Sequence, residues 1–462
     1  MDKYKKLFNN SIAFAIGNLG SKLITFFMLP LYTYKLTTSD YGTSDLVQTT
    51  VSMLLPIVSL NIFDAVLRFV MDDDSNNKEI FTIGCIISNI SSLFAIVISV
   101  LLFFFGTSYS LYVAIILILQ SYQSLFSQYI KAIGKVRDFA INGILLSFIT
   151  AICNIIMLVP MNLGITGYLL SIIIGLVCSS VFLVIKCNLI KEYDYKYFNF
   201  STLREMFKYS IPLIPNSVAW FATNAINRYF ILYIIGTTAN GIYAVANKIP
   251  TLLSVLNSIF FQSWQLSAIE EFNSSDKELY YSKVFSVYLN FLFLGVSGIM
   301  YILKPIMTIL VSDQFYSAWK YVPLLLLTVL YSSFSSFFGQ YYIAAKRTNG
   351  IFFTTLMGAF CNILLNSVLI RKFGLNGAAL SSTLSFLIIW IIRWINTRKI
   401  VATKVKLNDL ILNHLVFFFQ YWILFSFSGT SFFILSSIAM FVSIFINSKV
   451  ILKIVNNLLK KV

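Results

Sequence analysis

The stretch "NRYFILYIIGTTANGIYAVANKIP", residues 227–250, is a pair of apolar runs joined by the short turn "GTTANG". Followed outward in both directions, the runs extend over residues 209–235 and 242–265. A helix needs about 20 apolar residues to cross the hydrocarbon core of a bilayer, so the stretch predicts a hairpin of two membrane-spanning helices. Its only charged residues are Arg228 and Lys248, one on each arm of the hairpin.

The rest of the chain repeats this apolar pattern. Hydrophobic residues make up 58% of the 462 residues and charged residues only 11%, with a mean hydropathy of +0.82. This composition excludes a water-soluble surface and predicts an all-α polytopic membrane protein. We expect about fourteen transmembrane helices, the first retained rather than cleaved as a signal peptide. The predicted spans are 12–33, 46–66, 80–105, 111–130, 139–160, 166–186, 209–235, 242–265, 284–303, 321–343, 350–370, 376–395, 410–427 and 430–447.

The positive charge follows the predicted topology. The net charge of +16 comes from 34 Lys and Arg residues against 18 Asp and Glu residues. Most of the cations fall at the two termini and in alternate loops, the pattern of the cytoplasmic side of a membrane protein. We therefore predict that both termini are cytoplasmic and that the basic excess attracts anionic lipids rather than nucleic acid. The cations inside predicted spans and away from their cytoplasmic ends are Lys22, Arg228 and Lys248.

Features typical of enzymes and metal sites are few. The acidic triplet Asp72, Asp73 and Asp74 lies in a short predicted loop without a globular domain, so we interpret it as solvated rather than as a metal site. The single histidine, His414, opens the predicted thirteenth helix without a catalytic partner nearby in sequence. The five cysteines lack CxxC spacing, and no phosphate-binding glycine loop occurs. We predict a transporter rather than an enzyme, with no cofactor and no metal.

Short motifs recur in the same order in the two halves of the chain. Each second copy follows its first by about 200 residues, and such internal repeats are typical of transporters. The matches indicate an internal duplication. The pairs are "LTTSDYG" (36–42) with "GTTANGIY" (236–243), "CNII" (153–156) with "CNIL" (361–364), and "GITGYLLS" (164–171) with "GLNGAALS" (374–381).

The duplication defines the predicted domains. Residues 1–190 form an N-terminal six-helix bundle, and residues 209–400 form a second six-helix bundle that repeats it. Because the number of spans per half is even, both halves enter the membrane in the same orientation. Residues 191–208 are a cytoplasmic linker that contains an amphipathic stretch at the membrane surface. Residues 401–462 contribute helices 13 and 14 and a basic cytoplasmic tail.

Three parts of the sequence carry a family resemblance. The stretch "ITFFMLPLYTYKLTTSDYG" (24–42), the stretch at 227–250 and the "GITG"/"GLNG" pair resemble the polysaccharide transporter family. That family belongs to the multidrug/oligosaccharidyl-lipid/polysaccharide (MOP) exporter superfamily, and the resemblance extends to its Wzx-type flippases of O-antigen or capsule repeat units. It covers essentially the whole chain, but no segment identifies the sugar.

The resemblance implies a fold and a function. The fold would be MATE-like, with two pseudo-symmetric six-helix bundles and two further helices. The function would be translocation of an undecaprenyl-diphosphate-linked oligosaccharide repeat unit of O-antigen, capsule or exopolysaccharide. This unit would move from the inner to the outer leaflet of a bacterial cytoplasmic membrane by alternating access. The implied partners are that lipid-linked substrate, the membrane lipids and the polysaccharide polymerase machinery.

The three embedded cations are the candidate substrate-binding residues. A Lys or Arg at the centre of a lipid-facing helix costs about 2.5 to 3.5 kcal/mol on insertion scales, and this cost is avoided in a wet cavity. Lys22, Arg228 and Lys248 are therefore predicted to line a cationic cavity that attracts the diphosphate of the substrate. The alternative is that their long side chains reach back to the membrane surface.

The acidic residues weigh on the alternative functions. A cation-coupled drug antiporter needs carboxylates inside the membrane, and few occur. We interpret Asp64 as the partner of Arg68 in a local ion pair and Asp45 as a solvated residue at the outer start of helix 2. Flippases of teichoic or teichuronic acid units or of lipid II remain open, as does a membrane-embedded polysaccharide polymerase or ligase.

Prolines in the predicted helices are candidate hinges. Proline removes a helical hydrogen bond and kinks or breaks the helix that contains it. We predict that helices 1, 2, 7 and 8 bend at these positions during transport. The residues are Pro30, Pro56, Pro212, Pro215 and Pro250.

Overall fold

The part of the chain that the computed structural model describes, residues 20–72, 76–104, 109–345 and 349–459, contains α- and 3₁₀-helices and no strand. Up to the predicted linker the helices are α1 (20–27), α2 (Leu29–Lys35), α3 (Thr38–Val58), α4 (Ile62–Val70), α5 (Asn77–Phe104), α6 (Ser110–Ala132), α7 (Val136–Leu158) and α8 (Gly164–Cys187). After it come α9 (Phe200–Ser210), α10 (Leu213–Ala225), α11 (Asn227–Ile234), α12 (Thr237–Glu270), α13 (Lys277–Leu310), α14 (Asp313–Tyr316), α15 (Val322–Ala344), α16 (Asn349–Thr397), α17 (Leu407–Ser426) and α18 (Gly429–Leu459).

The prediction of an all-α polytopic membrane protein is confirmed, whereas the count of fourteen spans is not. Among the described residues nine helices are long and apolar enough to cross a membrane, or ten if the bent pair α3 and α4 forms one span. Some predicted spans correspond to interrupted helices. The 49-residue helix α16 contains two predicted spans and is broken at Gly374, whose φ of 57° and ψ of −133° are not helical.

The break between α3 and α4 has a local cause. The two helices meet at an angle of 58°. Between them Leu60 and Asn61 adopt left-handed backbone conformations, with φ of 52° and 51°. Non-glycine residues rarely adopt this conformation, so the surroundings must hold the break in place. The buried Asn61 contributes to this, since its Nδ2 donates to Ser217 Oγ of α10 at 3.4 Å.

The predicted hinge prolines lie at different kinds of position. Pro30 is in the first turn of α2, directly after the interruption at Met28. Pro56 lies inside α3 shortly before its bend, and Pro250 lies buried inside the continuous helix α12. The other two, Pro212 and Pro215, stand at the start of α10 and are exposed. Their role as hinges stays a prediction.

The chain separates into two compact units. The first comprises the residues up to Tyr229 together with Thr237–Gly241, and the second comprises Phe230–Gly236 and the chain from Ile242 onward. The separation therefore falls in the α11–α12 hairpin rather than in the linker 191–208. The predicted bundle boundaries describe the sequence repeat, and they stay a prediction.

The first unit has an apolar core at the end of the bundle where α9 docks. Ile62 and Val66 of α4 pack there with Phe81 of α5, Leu125 of α6 and Met206 of α9, all at most 1% exposed. Helix α9 is amphipathic, because Leu203, Met206 and Ser210 are buried while residues such as Arg204 and Lys208 are exposed. The linker thus contains the amphipathic helix that its sequence predicts.

Local geometry is shared by the "GITGYLLS" and "GLNGAALS" segments, one in each unit. Gly164 and Gly374 have nearly the same left-handed φ, 53° and 57°. In the following turn Ser171 Oγ donates to Gly167 O, and Ser381 Oγ donates to Gly377 O, both at 2.8 Å. A duplicated segment would leave such a likeness.

In the second unit, buried amides join α13, α17 and α18. Asn413 Nδ2 of α17 donates to Asn290 Oδ1 of α13 at 3.2 Å, and Asn447 Nδ2 of α18 donates to Asn413 Oδ1 at 3.1 Å. All three side chains are at most 4% exposed. Hydrogen bonds between helices stabilise packing in a membrane, where apolar contact alone does not drive association.

Candidate functional site: a polar seam and cavity in the first unit

An ion pair lies inside the first unit where the sequence predicted a lone cation. Arg228 Nε of α11 is 2.6 Å from Asp45 Oδ2 of α3, and the two side chains are only 19% and 16% exposed. The prediction that Asp45 is a solvated residue is therefore wrong. The first turn of α11 brings Arg228 against α3, where the carboxylate compensates its charge.

The other two predicted substrate-binding cations lie in different surroundings. Lys22 of α1 is exposed, next to Ser21, whose Oγ donates to Gly143 O of α7 at 2.8 Å. Lys248 of α12 is half-buried and belongs to the second unit. The proposed role of Lys22, Arg228 and Lys248 in binding phosphate stays a prediction.

A second correction concerns the other predicted ion pair. Arg68 pairs with Asp72, one turn later, and not with Asp64. Both partners are about half exposed, so the pair belongs to the surface. The neighbouring Asp73 and Asp74 of the acidic triplet lie outside the described residues.

On the N-terminal side of Asp45, α3 crosses the start of α12 so closely that the backbones of the two helices are in contact. A Cβ atom added to Gly42 would overlap Thr237 O, and one added to Gly241 would overlap Thr38 O. Asn240 Nδ2 donates to Gly42 O at 2.9 Å, which fixes the crossing. The contact is reciprocal, since each glycine faces the threonine four residues before the other glycine. A two-fold relation between equivalent segments produces this pattern.

Polar side chains continue along α3 on the C-terminal side of Asp45. Gln48 Nε2 donates to the phenol oxygen of Tyr168 in α8 at 2.7 Å. On the other side of the helix, Thr50 Oγ1 and Tyr229 OH of α11 are 2.8 Å apart. We call Asp45, Gln48 and Thr50 with their partners the polar seam.

A cavity of about 160 Å³ opens beside the polar seam, between α1, α2, α3, α6, α7 and α8. Thr25 and Gln48 are exposed at its mouth, whereas Tyr32, Asn154 and Tyr168 are buried at its inner end. Among the described residues that line it, none carries a charge. Sequence reasoning did not assign a role to these residues because none is charged. The repeat motifs "CNII" and "GITGYLLS" did contain Asn154 and Tyr168, which was the available signal.

The second unit contains a buried cation that the sequence analysis missed. Arg393, 7% exposed, lies inside the predicted span 376–395, close to its cytoplasmic end. Its Nε donates to Thr354 Oγ1 at 2.9 Å, its Nη1 to Ser335 O at 3.0 Å and its Nη2 to Thr355 Oγ1 at 3.0 Å. The guanidinium thereby joins α15 to both parts of α16.

The single histidine is part of an aromatic contact. His414 lies within α17, where its Nδ1 is 2.8 Å from Leu410 O and its Nε2 is 2.8 Å from Tyr331 OH. The backbone carbonyl must accept, so Nδ1 carries the proton and Nε2 accepts from the phenol. Nε2 thus joins α17 to α15, whereas Nδ1 bonds within α17 and fixes the orientation of the ring.

Sequence comparison relates the chain to polysaccharide biosynthesis proteins. Residues 7–265 match the family model of the polysaccharide biosynthesis proteins. Protein 1 of the Lsg locus of Haemophilus influenzae is 24% identical over 269 residues, which are 54% of this chain and 63% of that protein. The match therefore spans less than two thirds of the relative's length.

Solved structures share the fold. The lipid II flippase MurJ in an inward closed conformation superimposes with a TM-score of 0.68 at 13% identity, over 98% of this chain and 100% of that chain. An inward-facing multidrug resistance MATE family transporter of the MOP superfamily superimposes with a TM-score of 0.65 at 12% identity. This match covers 84% of this chain and 96% of that chain. These matches agree with the predicted MATE-like fold.

Proposed function

The chain belongs to the polysaccharide biosynthesis protein family, and from this premise we propose that it is a flippase of lipid-linked oligosaccharide. Its substrate would be an undecaprenyl-diphosphate-linked repeat unit of O-antigen, capsule or exopolysaccharide. It would move this unit from the inner to the outer leaflet of the cytoplasmic membrane by alternating access. Both termini would then be cytoplasmic, and the polysaccharide polymerase would receive the product.

The observation that carries the proposal is the Asp45–Arg228 ion pair of the polar seam, whose side chains are only 16% and 19% exposed within the first unit. A charged pair in such a place costs desolvation, and this cost supports a role for the pair in transport. Arg228 can bind phosphate oxygens with the same guanidinium that now contacts Asp45 at 2.6 Å. A diphosphate that reaches the seam would compete with the carboxylate for Arg228, and the freed Asp45 would repel it after the exchange.

The antiporter alternative receives less support. A carboxylate that binds protons, sodium or a cationic drug must be available to them. Asp45 is held by Arg228, so a cationic passenger would first have to displace a guanidinium. The same structure favours an anionic passenger, which is attracted to Arg228 instead.

Gene deletion separates a flippase from a polymerase or ligase. Loss of a flippase leaves lipid-linked single repeat units on the inner leaflet, whereas loss of a polymerase still exposes single units on the outer leaflet. The measurement is the accessibility of lipid-linked units to an impermeant glycan-binding protein in intact spheroplasts. Single units exposed outside the deletion strain would argue against the flippase.

A further inference from the structure

We propose that the cavity beside the polar seam is a subsite for one neutral sugar ring of the transported glycan. This inference rests on the proposed function and adds the chemistry by which the glycan is recognised. The diphosphate is a common feature of such lipids, so selection among them requires contacts to the sugar. The cavity provides a place for those contacts within the first unit.

The cavity's polar groups suit hydroxyl groups. Tyr32 and Tyr168 meet edge to face at its inner end, with ring centroids 5.0 Å apart. Gln48 and Gln120 contribute side-chain amides to the wall, and Thr25 contributes a hydroxyl at the mouth. Amides and phenols both donate and accept hydrogen bonds, as sugar hydroxyls do. An arrangement of amides beside aromatic rings can therefore bind a ring that is polar at its edge and apolar on its face.

Asn154 provides an acceptor with no protein partner. Its Nδ2 donates to Thr150 O at 2.9 Å and lies 3.3 Å from Tyr32 OH. Its Oδ1 is buried and accepts no hydrogen bond from the protein. A buried acceptor left without a donor destabilises the fold, because the desolvation of the acceptor is not compensated. A ligand hydroxyl donating to this oxygen would remove that cost.

The size and the uncharged lining of the cavity argue against two other classes of ligand, drug-sized molecules and metal cations. At about 160 Å³ the cavity is smaller than the pockets of drug-sized ligands, which begin at about 300 Å³, and it can hold about five water molecules. That volume fits a single ring. Hard metal cations are bound by several oxygen ligands that usually include carboxylates, and no carboxylate occurs among the described residues that line the cavity.

The two copies of the sequence repeat differ at these positions. Asn154 corresponds to Asn362 in the "CNIL" motif, but there Oδ1 accepts from Asn366 Nδ2 at 2.7 Å. The residue that would play this part in the first copy is Leu158. Likewise Tyr168 corresponds to Ala378 in the "GLNGAALS" motif. At these two positions the first copy therefore has an available acceptor and an aromatic ring, whereas the second has an acceptor that is already bonded and an alanine.

The test measures sugar binding directly. The purified full-length protein in lipid nanodiscs is titrated with methyl glycosides of neutral hexoses, 6-deoxyhexoses and N-acetylhexosamines, and binding is followed by saturation-transfer difference NMR. We expect saturable binding of at least one glycoside. Asn154→Leu, Tyr168→Ala and Gln48→Leu should each weaken it about tenfold, as expected when one hydrogen-bonding group is lost. The matched change in the second copy, Asn362→Leu, should leave it intact.

Three results would overturn the subsite. The first is that none of the glycosides binds saturably. The second is that the wild-type protein and all three cavity variants bind a glycoside equally well. The third is that only sodium ions bind, as measured in a parallel ²³Na titration. Gln48→Leu guards against misfolding, because Gln48 is exposed at the mouth.

Complementation distinguishes this proposal from the flippase itself. If the wild-type gene restores surface polymer in the deletion strain and the cavity variants restore the same amount, the sugar subsite is wrong and the flippase stands. If the wild-type gene restores none, the flippase is wrong, and the subsite's role in transport fails with it.

Discussion

At the scale of single residues, Asp45 and Arg228 should be interdependent. Removal of one partner of a buried ion pair typically destabilises a protein by about 3 to 5 kcal/mol, and the loss is smaller here because the side chains are 16% and 19% exposed. Asp45→Ala and Arg228→Ala should therefore lower the unfolding temperature more than the double variant does. Thermal unfolding in detergent, followed by size-exclusion chromatography, measures this.

The control for this cycle is the exposed pair Arg68 and Asp72. Because solvent screens it, Arg68→Ala should leave the unfolding temperature unchanged. Additive effects of Asp45→Ala and Arg228→Ala would contradict the proposed interdependence.

The predicted cationic residues also bear on transport. Arg228→Ala protein that inserts normally should lose surface polymer, and so should Lys22→Ala protein.

Arg393 should be sensitive even to a conservative change. Its planar guanidinium supplies donors to Thr354, Ser335 and Thr355 in fixed directions, and lysine cannot reproduce this fork. Arg393→Lys should lower the unfolding temperature, whereas Lys399→Arg at an exposed position nearby should not. Equal unfolding temperatures for the two variants, measured in the same detergent, would contradict the bridging role of Arg393.

At the scale of helices, the crossing of α3 and α12 should depend on two glycines. Gly42→Ala or Gly241→Ala would place a methyl group against a backbone carbonyl oxygen of the other helix. A backbone carbonyl, unlike a side chain, cannot rotate out of the way. Each change should therefore separate the helices or prevent folding, with a loss of monodisperse protein. Gly143→Ala is the matched control, because its added Cβ would lie 3.6 Å from Ser21 Oγ, an ordinary contact. A normal elution profile for Gly42→Ala would show that the crossing is not required.

Helix breaks and buried polar contacts mark the limit of what the sequence predicts. Apolar length located the helices, because a span must be long and uniformly apolar whatever it packs against. The same criterion cannot detect the left-handed Leu60 and Asn61, whose conformations depend on tertiary contacts. It also could not pair Asp45 with Arg228, since 183 residues separate them and the pairing depends on how α11 lies against α3.

At the scale of the whole molecule, the charge distribution makes a prediction about topology that holds for any even number of spans. The basic residues concentrate in alternate loops, so both termini and the segment 188–199 should face the cytoplasm. Alkaline phosphatase, which folds only outside the cytoplasm, should be active when fused after residue 36 or 162 and inactive when fused after residue 195 or 462. Green fluorescent protein at the same four positions should give the opposite pattern, which controls for expression. Active phosphatase at residue 462 would place the C-terminus outside. Because the basic residues Lys3, Lys5 and Lys6 keep the N-terminus inside, the number of spans would then be odd. The boundary between the two duplicated halves would in that case have to lie elsewhere than in the linker 191–208.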